Sequence, residues 1–212
     1  IQSFPEAQMA AKSAGIKMIY GIEMNVVTPT LQTVLNPMDT SIESATYVCF
    51  DLETTGLDPF SGCEIIEIGI TEIVNNKIGR NYSRLVKPKG IIPSHITNIT
   101  SITNDMVEDA ESLETVLPNF RKYVGDTTII AHNAKFDLKF LNYYLDLLGL
   151  EKINNHICTL EMLKRCKSYK GKNKKLETAC NYYNIVNEHA HRANSDTLAT
   201  AKLFLKIKDE VE

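Results

Sequence analysis

Long apolar runs are missing. Nothing in the 212 residues approaches the ~20 needed to cross a bilayer, and the opening Ile1-Gln-Ser-Phe-Pro5 lacks the charged and apolar regions of a signal peptide. The expectation is a soluble intracellular protein, with no membrane partner. Cysteine is sparse and unpatterned. Its five copies, Cys49, Cys63, Cys158, Cys166 and Cys180, are odd in number and never fall as C-x-x-C, which points to reduced, packed thiols rather than zinc ligands or a disulfide framework. An excess of basic charge is also absent. With a net charge of -3, the chain is not held on nucleic acid mainly by global attraction, so any such contact must be local. There is no polar low-complexity tract and no internal repeat, and at 43% hydrophobic the chain can bury one good core.

The first forty residues read differently from the rest. Ser3-Phe-Pro-Glu6 is a capping-box start, Ala7 to Ala14 continues a helix, Gly15 stops it, and Ile16 to Tyr20 is a short strand candidate. From Thr28 to Ser41 the pattern lapses into a proline-containing stretch without lysine or arginine, which reads as a linker. A strand-rich stretch follows at Thr46–Leu52, Ile65–Val74 and Ile78–Lys87, with Asn75-Asn76 as a hairpin turn. Beyond a proline-containing loop come a helix at Leu113–Tyr123, a strand at Thr127–Ala131 and a long helix from Ala134 to Leu148. Shorter helices start at Thr159 and span Lys175–Tyr183, and a last one runs from Asn194. The order implies an α/β fold, a mixed sheet flanked by helices.

Three of these segments place carboxylates where they do not belong. The strand Thr46-Tyr-Val-Cys-Phe-Asp51-Leu-Glu53 is apolar on both faces until Asp51, and alternation puts Asp51 and Glu53 on one face at its end. Thr54-Thr55-Gly56 follows, and its glycine lets the backbone turn and approach a ligand. In the long helix the polar stripe is Lys135, Lys139, Asn142 and Asp146, whereas Asp137 aligns with Leu141, Tyr144 and Leu148 on the core side, behind Asn133 as a cap. In the last helix Asp196 lines up with Thr200, Leu203 and Ile207, five residues after His191. Taken singly, each feature has a plainer explanation: a strand end emerging into water, a first-turn aspartate steadying its helix, a surface histidine. Taken together, unpartnered burial of such charges would cost several kcal/mol apiece, so something positive must sit among them. Lys135 and Lys139 fall on a polar face and Arg192 falls in a loop, which leaves a cation. An all-oxygen set suits Mg²⁺ or Mn²⁺ rather than zinc, and two such ions form the apparatus for in-line displacement at phosphorus.

At this point the chain resembles the DEDDh class of DnaQ-like exonucleases, from Thr46 to Lys208. The resemblance lies in Phe50-Asp51-Leu-Glu53-Thr54-Thr55-Gly56-Leu57, in Ala131-His-Asn133-Ala134-Lys-Phe136-Asp137, and in His191-Arg-Ala193-Asn-Ser-Asp196. It implies a ribonuclease H-like fold with a five-stranded mixed sheet. It also implies that Asp51, Glu53, Asp137 and Asp196 hold two Mg²⁺ ions, for which Mn²⁺ can substitute, and that His191 is the general base. Histidine titrates near neutrality and can take a proton from the attacking water. Thr54, Thr55, Gly56 and Leu57 would line the pocket for the terminal nucleotide, Leu57 wedged beside its base, with Asn133 and Phe136 assisting.

More narrowly, the chain resembles the exonuclease of PolC-type DNA polymerase III, a domain inserted into a polymerase-and-histidinol-phosphatase (PHP) domain. Ser3-Phe-Pro-Glu-Ala7 and Ala14-Gly-Ile-Lys-Met-Ile-Tyr-Gly-Ile-Glu23 resemble the PHP segment before the insertion, and Asn36-Pro37 through Val48 resembles the junction. The implied domains are residues 1–40 as PHP fragment and linker and 41–212 as exonuclease. Glu23 would match a PHP metal position but lacks partner ligands. The implied partners are the primer 3′ end or single-stranded DNA, the rest of the polymerase chain and the sliding clamp of the replisome.

Ser101 stands where relatives read glycine and Cys158 where they read aspartate, which touches loop shape and helix capping and not the chemistry. His189 is a rival base to His191. The run from Lys164 to Lys175 holds seven basic residues and no acidic one, with Tyr169 available to stack on a base, and reads equally as a solvated loop. Other readings remain: a non-catalytic module that positions a DNA end, an oligoribonuclease-like enzyme acting on RNA, and a zinc hydrolase built on His189 and His191.

Overall fold

Alternating apolar residues and an Asn-Asn turn build the first half of the sheet. Strands β2 (Thr46–Thr54), β3 (Ile65–Val74) and β4 (Lys77–Leu85) form the expected antiparallel meander. Asn75 and Asn76 both take positive φ, 50° and 59°, the pair of left-handed residues that matches a two-residue turn to the twist of its strands. The computed structural model describes residues 4–17, 33–35 and 45–211. The chain divides into two compact units, Ile1–Leu31 and Gln32–Glu212. In the first, helix α1 (Phe4–Ser13) ends before Gly15, at φ 66°, as the sequence implies. Of the expected strand after it, Ile16 and Lys17 are irregular, and the remainder, like Glu23, lies outside the described residues.

In the second unit β5 (Thr128–Ala131) adds parallel to β2, and β6 (His156–Cys158) adds parallel to β5. Strand β1 (Val34–Leu35) pairs antiparallel with β6, giving the order β1-β6-β5-β2-β3-β4. Among the described residues the sheet therefore has six strands, one more than the five implied. Its extra strand comes from the stretch 28–41 that reads as a linker, because two residues are too few to show a period.

Helices α4 (Leu113–Val124) and α5 (Ala134–Leu147) pack with Val48, Phe50 and Leu52 on one face. Helices α6 (Thr159–Arg165), α7 (Leu176–Tyr182) and α8 (Ala193–Ile207) pack with Tyr47, Cys49 and Ile130 on the other. The proline-containing loop carries two short helices, α2 (Ser94–Thr100) and α3 (Asn104–Val107), around Ile66, Ile92 and Ile102. Ser101 takes φ 60°, so it adopts the left-handed conformation that a glycine would take without strain. All five cysteines are free thiols. No helix among the described residues is long and apolar enough to cross a membrane.

Candidate active site

The carboxyl end of β2 is where both layers of helices open. Asp51 and Glu53 lie at this end, half-buried, and a bulge between Glu53 and Thr54 releases the strand from its register with β3. Across that register Asp51 faces Gly69 and Glu53 faces Glu67. Gly69 is bare for a reason: a Cβ there would lie 2.4 Å from the backbone carbon and oxygen of Ala193. The first turn of α8 is thus pressed onto β3 directly beside Asp51, and one turn of helix brings Asp196 into the same space.

Asp51, Glu53 and Asp196 each offer an oxygen, and these oxygens lie within 4.8 Å of one another. Asp137, in the first turn of α5 and 3% exposed, comes from the opposite layer. Its Oδ1 accepts a hydrogen bond from the amide of Leu52, the residue between Asp51 and Glu53, at 3.2 Å. Asp196 is held at both oxygens: Asn187 Nδ2 donates to Oδ1 at 2.6 Å and the His191 amide donates to Oδ2 at 3.0 Å. His191 itself is exposed, in the turn before α8, at φ 65°.

Electrostatics show what this crowding costs. Burial, and then the charge of Asp137, push the Asp51 carboxyl well above the usual range. Burial and the neighbouring Asp196 and Glu67 raise Glu53 to about 8. Burial raises Asp137 to about 8 against the pull of its amide hydrogen bonds, and burial raises Asp196 too. Four carboxyls raised together by burial and mutual repulsion are better served by a cation among them. The donors are all carboxylate oxygens, which fits a hard divalent ion and not a thiolate-seeking one. Among the described residues no other group of three or more acidic, histidine or cysteine side chains has this geometry, and His189 and His191 do not form one.

Beside the cluster the loop after β2 is firmly tied. Thr54 Oγ1 donates to the Gly56 carbonyl at 2.7 Å, Thr55 Oγ1 accepts from the Glu64 amide at 2.8 Å, and Gly56 lies against the Cys63 sulfur. Lys139 of α5 reaches across to the Leu57 carbonyl and to Asp58. This fixed loop still presents Leu57 to solvent, 79% exposed, with Phe60 beside it. An apolar side chain held out of the core by a braced backbone is suited to receive a base. Phe136, half-buried, packs its ring on Phe140 and stands near the start of α5.

The family model described as "Exonuclease" matches residues 48–204. The chain belongs to the exonuclease family. Over 214 residues the exonuclease is 40% identical to the DNA polymerase III PolC-type of Bacillus subtilis, and over 213 residues 39% identical to that of Caldanaerobacter subterraneus. All of this chain is covered in both matches, yet it spans only 15% of either relative. Among solved structures, exonuclease X in complex with 5′ overhanging duplex DNA is similar with TM-score 0.61 and 28% identity, covering 77% of this chain and 91% of that one. Escherichia coli exonuclease I with a dT13 oligonucleotide shares the fold, with TM-score 0.70 and 16% identity over 79% of this chain and 42% of its own.

Several expectations about the exonuclease need correction. Arg192 is not idle in a loop: its guanidinium binds Glu67 at 2.8 and 3.1 Å. Glu67, fully buried, is a fifth carboxylate beside the site, one that no motif marks in the sequence. Asn133 stands at the N-cap of α5 but in the left-handed conformation, φ 63°, and its side chain makes no capping bond. Cys158 likewise caps α6 without a side-chain bond. Lys139 is engaged with Asp58 and Asn142 with Ile153, so α5's polar stripe is less wet than its spacing implies. Tyr169 is buried, its hydroxyl bonded to the Asn173 carbonyl, and cannot stack on a base.

Proposed function

We propose that this exonuclease is the proofreading 3′-to-5′ nuclease of a PolC-type replicative DNA polymerase III, acting on a primer 3′ end or single-stranded DNA. In this reading residues 41–212 form the nuclease, to whose sheet Val34–Leu35 adds an edge strand, and the remainder of residues 1–40 is PHP fragment and linker. The rest of the polymerase chain and the sliding clamp of the cytoplasmic bacterial replisome are its partners. The observation that carries the reading is the meeting of Asp51, Glu53 and Asp196 within 4.8 Å, with Asp137 hydrogen-bonded to the strand between them. Similarity to PolC-type polymerases along the whole chain supports the substrate and the setting.

Asp51, Glu53, Asp137 and Asp196 would hold two Mg²⁺ ions, or Mn²⁺ in their place. Bound there, the ions would offset the crowded carboxylate charge and the charge that builds on the phosphate oxygens. Leu57 and the backbone of Thr54, Thr55 and Gly56 receive the terminal nucleotide, with Asn133 and Phe136 beside it. His191 takes the proton of the attacking water on a ring nitrogen. The water oxygen then bonds to phosphorus in line as the bond from phosphorus to the 3′ oxygen of the preceding nucleotide breaks. The products are a 5′-mononucleotide and, once the departing oxygen takes a proton from solvent, a shortened 3′-hydroxyl end.

The test is incubation with 5′-labelled single-stranded DNA and RNA of one sequence. The DNA should shorten one nucleotide at a time with Mg²⁺, stay intact in EDTA, and be trimmed faster than the RNA. Internal cuts, or a preference for RNA, would set this reading aside.

A further inference from the structure

Glu67 is a charged side chain with 0% exposure in the middle of Ile65-Ile66-Glu67-Ile68, a place where a free carboxylate is not tolerated. Its partners explain it. Oε1 accepts from the Ser83 hydroxyl at 2.6 Å and from Arg192 at 2.8 Å. Oε2 accepts from Arg192 Nε at 3.1 Å and from the backbone amide of Ala193 at 3.0 Å. Burial alone would raise this carboxyl, yet the bonds from Arg192, Ser83 and Ala193 bring it below the ordinary glutamate value. Four donors on one carboxylate leave no capacity for a metal ion, which distinguishes Glu67 from the cluster opposite it.

The bonds fall on a short segment that carries two of the site's groups. Arg192 and Ala193 are pinned by Glu67, and the His191 amide is pinned to Asp196. The Ala193 backbone meanwhile lies against Gly69. His191, at positive φ, immediately precedes Arg192, and its own amide is held by Asp196, so the bend that presents its imidazole is fixed on both sides. We infer that Glu67 is a positioning residue: from its buried position it forms with Arg192 a clamp that sets where His191 and Asp196 stand relative to the carboxylates of β2. The clamp also ties up the arginine beside Glu53, which would otherwise compete with a divalent cation for that carboxylate.

The inference rests on the nuclease reading for its kinetic arm only. Glu67→Gln keeps the shape but turns one acceptor into a donor: at either oxygen position the new amide meets a donor of Arg192, and only the Ser83 hydroxyl beside Oε1 can turn round to accept from it. The kcat for single-stranded DNA should fall by ~10- to 100-fold, the usual scale for a group that orients others, with KM changed by less than about threefold. In metal-free protein the amides of residues 187–197 should exchange with deuterium at least ~10-fold faster, and the rest of the sheet at the wild-type rate. Arg192→Lys, which keeps the charge and loses the two-pronged contact, should show the same pattern and guards against a variant that fails to fold. The double variant Glu67→Gln/Arg192→Met removes the buried carboxylate and its half-buried partner together, so it should recover thermal stability without recovering kcat. Wild-type kcat in Glu67→Gln, recovery of kcat in the double variant, or unchanged exchange across 187–197 overturns the clamp. If the wild-type protein cut no DNA, the nuclease reading would fail, while the exchange measurement would still decide whether the clamp exists.

Discussion

Glu53 and Glu67 are cross-strand neighbours on β2 and β3, and their carboxyls are driven in opposite directions. Glu53 is pushed up to about 8 by burial and surrounding acids, while Glu67 is drawn down by Arg192, Ser83 and Ala193 against the effect of burial. Two like side chains a strand apart thus have different work: one is left without its counter-charge, the other is fully supplied. The difference marks the boundary between the group that awaits a cation and the frame that holds it.

The unsatisfied side predicts how stability depends on pH. Glu53 and Asp137, both raised to about 8, bind protons in the folded protein over a range where the unfolded chain has lost them. Their stabilisation is fully present below the unfolded values and is lost as pH rises toward 8. His132, lowered to about 4 by burial, acts in the opposite sense between about 4 and its ordinary 6.5, so the clear window lies above that. In EDTA, Tm should fall between about pH 6.5 and 8.5, and Mg²⁺ should raise it more at the upper end. A Tm that climbed across this window without metal would contradict the assignment.

Removing one acid should therefore separate stability from activity. Asp51→Asn takes away a buried charge facing three others, so metal-free Tm at pH 8 should rise while nuclease activity drops by at least ~10²-fold. Melting curves in EDTA beside a trimming assay check both halves. A variant that was less stable at pH 8 would mean that the acids do not repel one another.

Gly69→Ala tests the contact that presses α8 onto the sheet. The added methyl meets the Ala193 backbone, which cannot rotate away as a side chain could. A loss of about 1–3 kcal/mol in urea unfolding is expected, together with weaker metal binding by calorimetry as Asp196 retreats. Unchanged binding would show that Asp196 is not needed for the ion.

His191→Ala should lower kcat by roughly 10²- to 10⁴-fold, the usual contribution of a general base, and leave metal affinity within about twofold. His189→Ala should be close to wild type. Reversed results would move the base to His189.

The site was legible where periodicity is long enough to reveal a misfit. Asp137 and Asp196 occupy helix positions whose aligned neighbours face the core, and Asp51 and Glu53 end an apolar strand. All four are found buried or half-buried at one end of the sheet, which is the sense in which the sequence foretold the geometry. Glu67 is equally misplaced in its strand, but its partner Arg192 lies 125 residues away and outside any periodic segment, so no local pattern joins them. Asking which cation neutralises an acid within an isoleucine run would have found the pair. Strands β1 and β6 span two and three residues and are made by pairing with distant neighbours, so no local signal announced them. Tyr169 shows the reverse error: an aromatic in a basic run suggested a stacking surface, yet its ring is packed between Tyr182, Tyr183 and Gly171.

Anomalous diffraction from a crystal soaked in Mn²⁺ bears most directly on the claim that acids from β2, α5 and α8 gather around hard cations. Two peaks are expected, each within coordination distance of carboxylate oxygens from Asp51, Glu53, Asp137 and Asp196, with Glu67 still on Arg192. Density absent from that space, or a metal seated instead on His189 and His191, would contradict it.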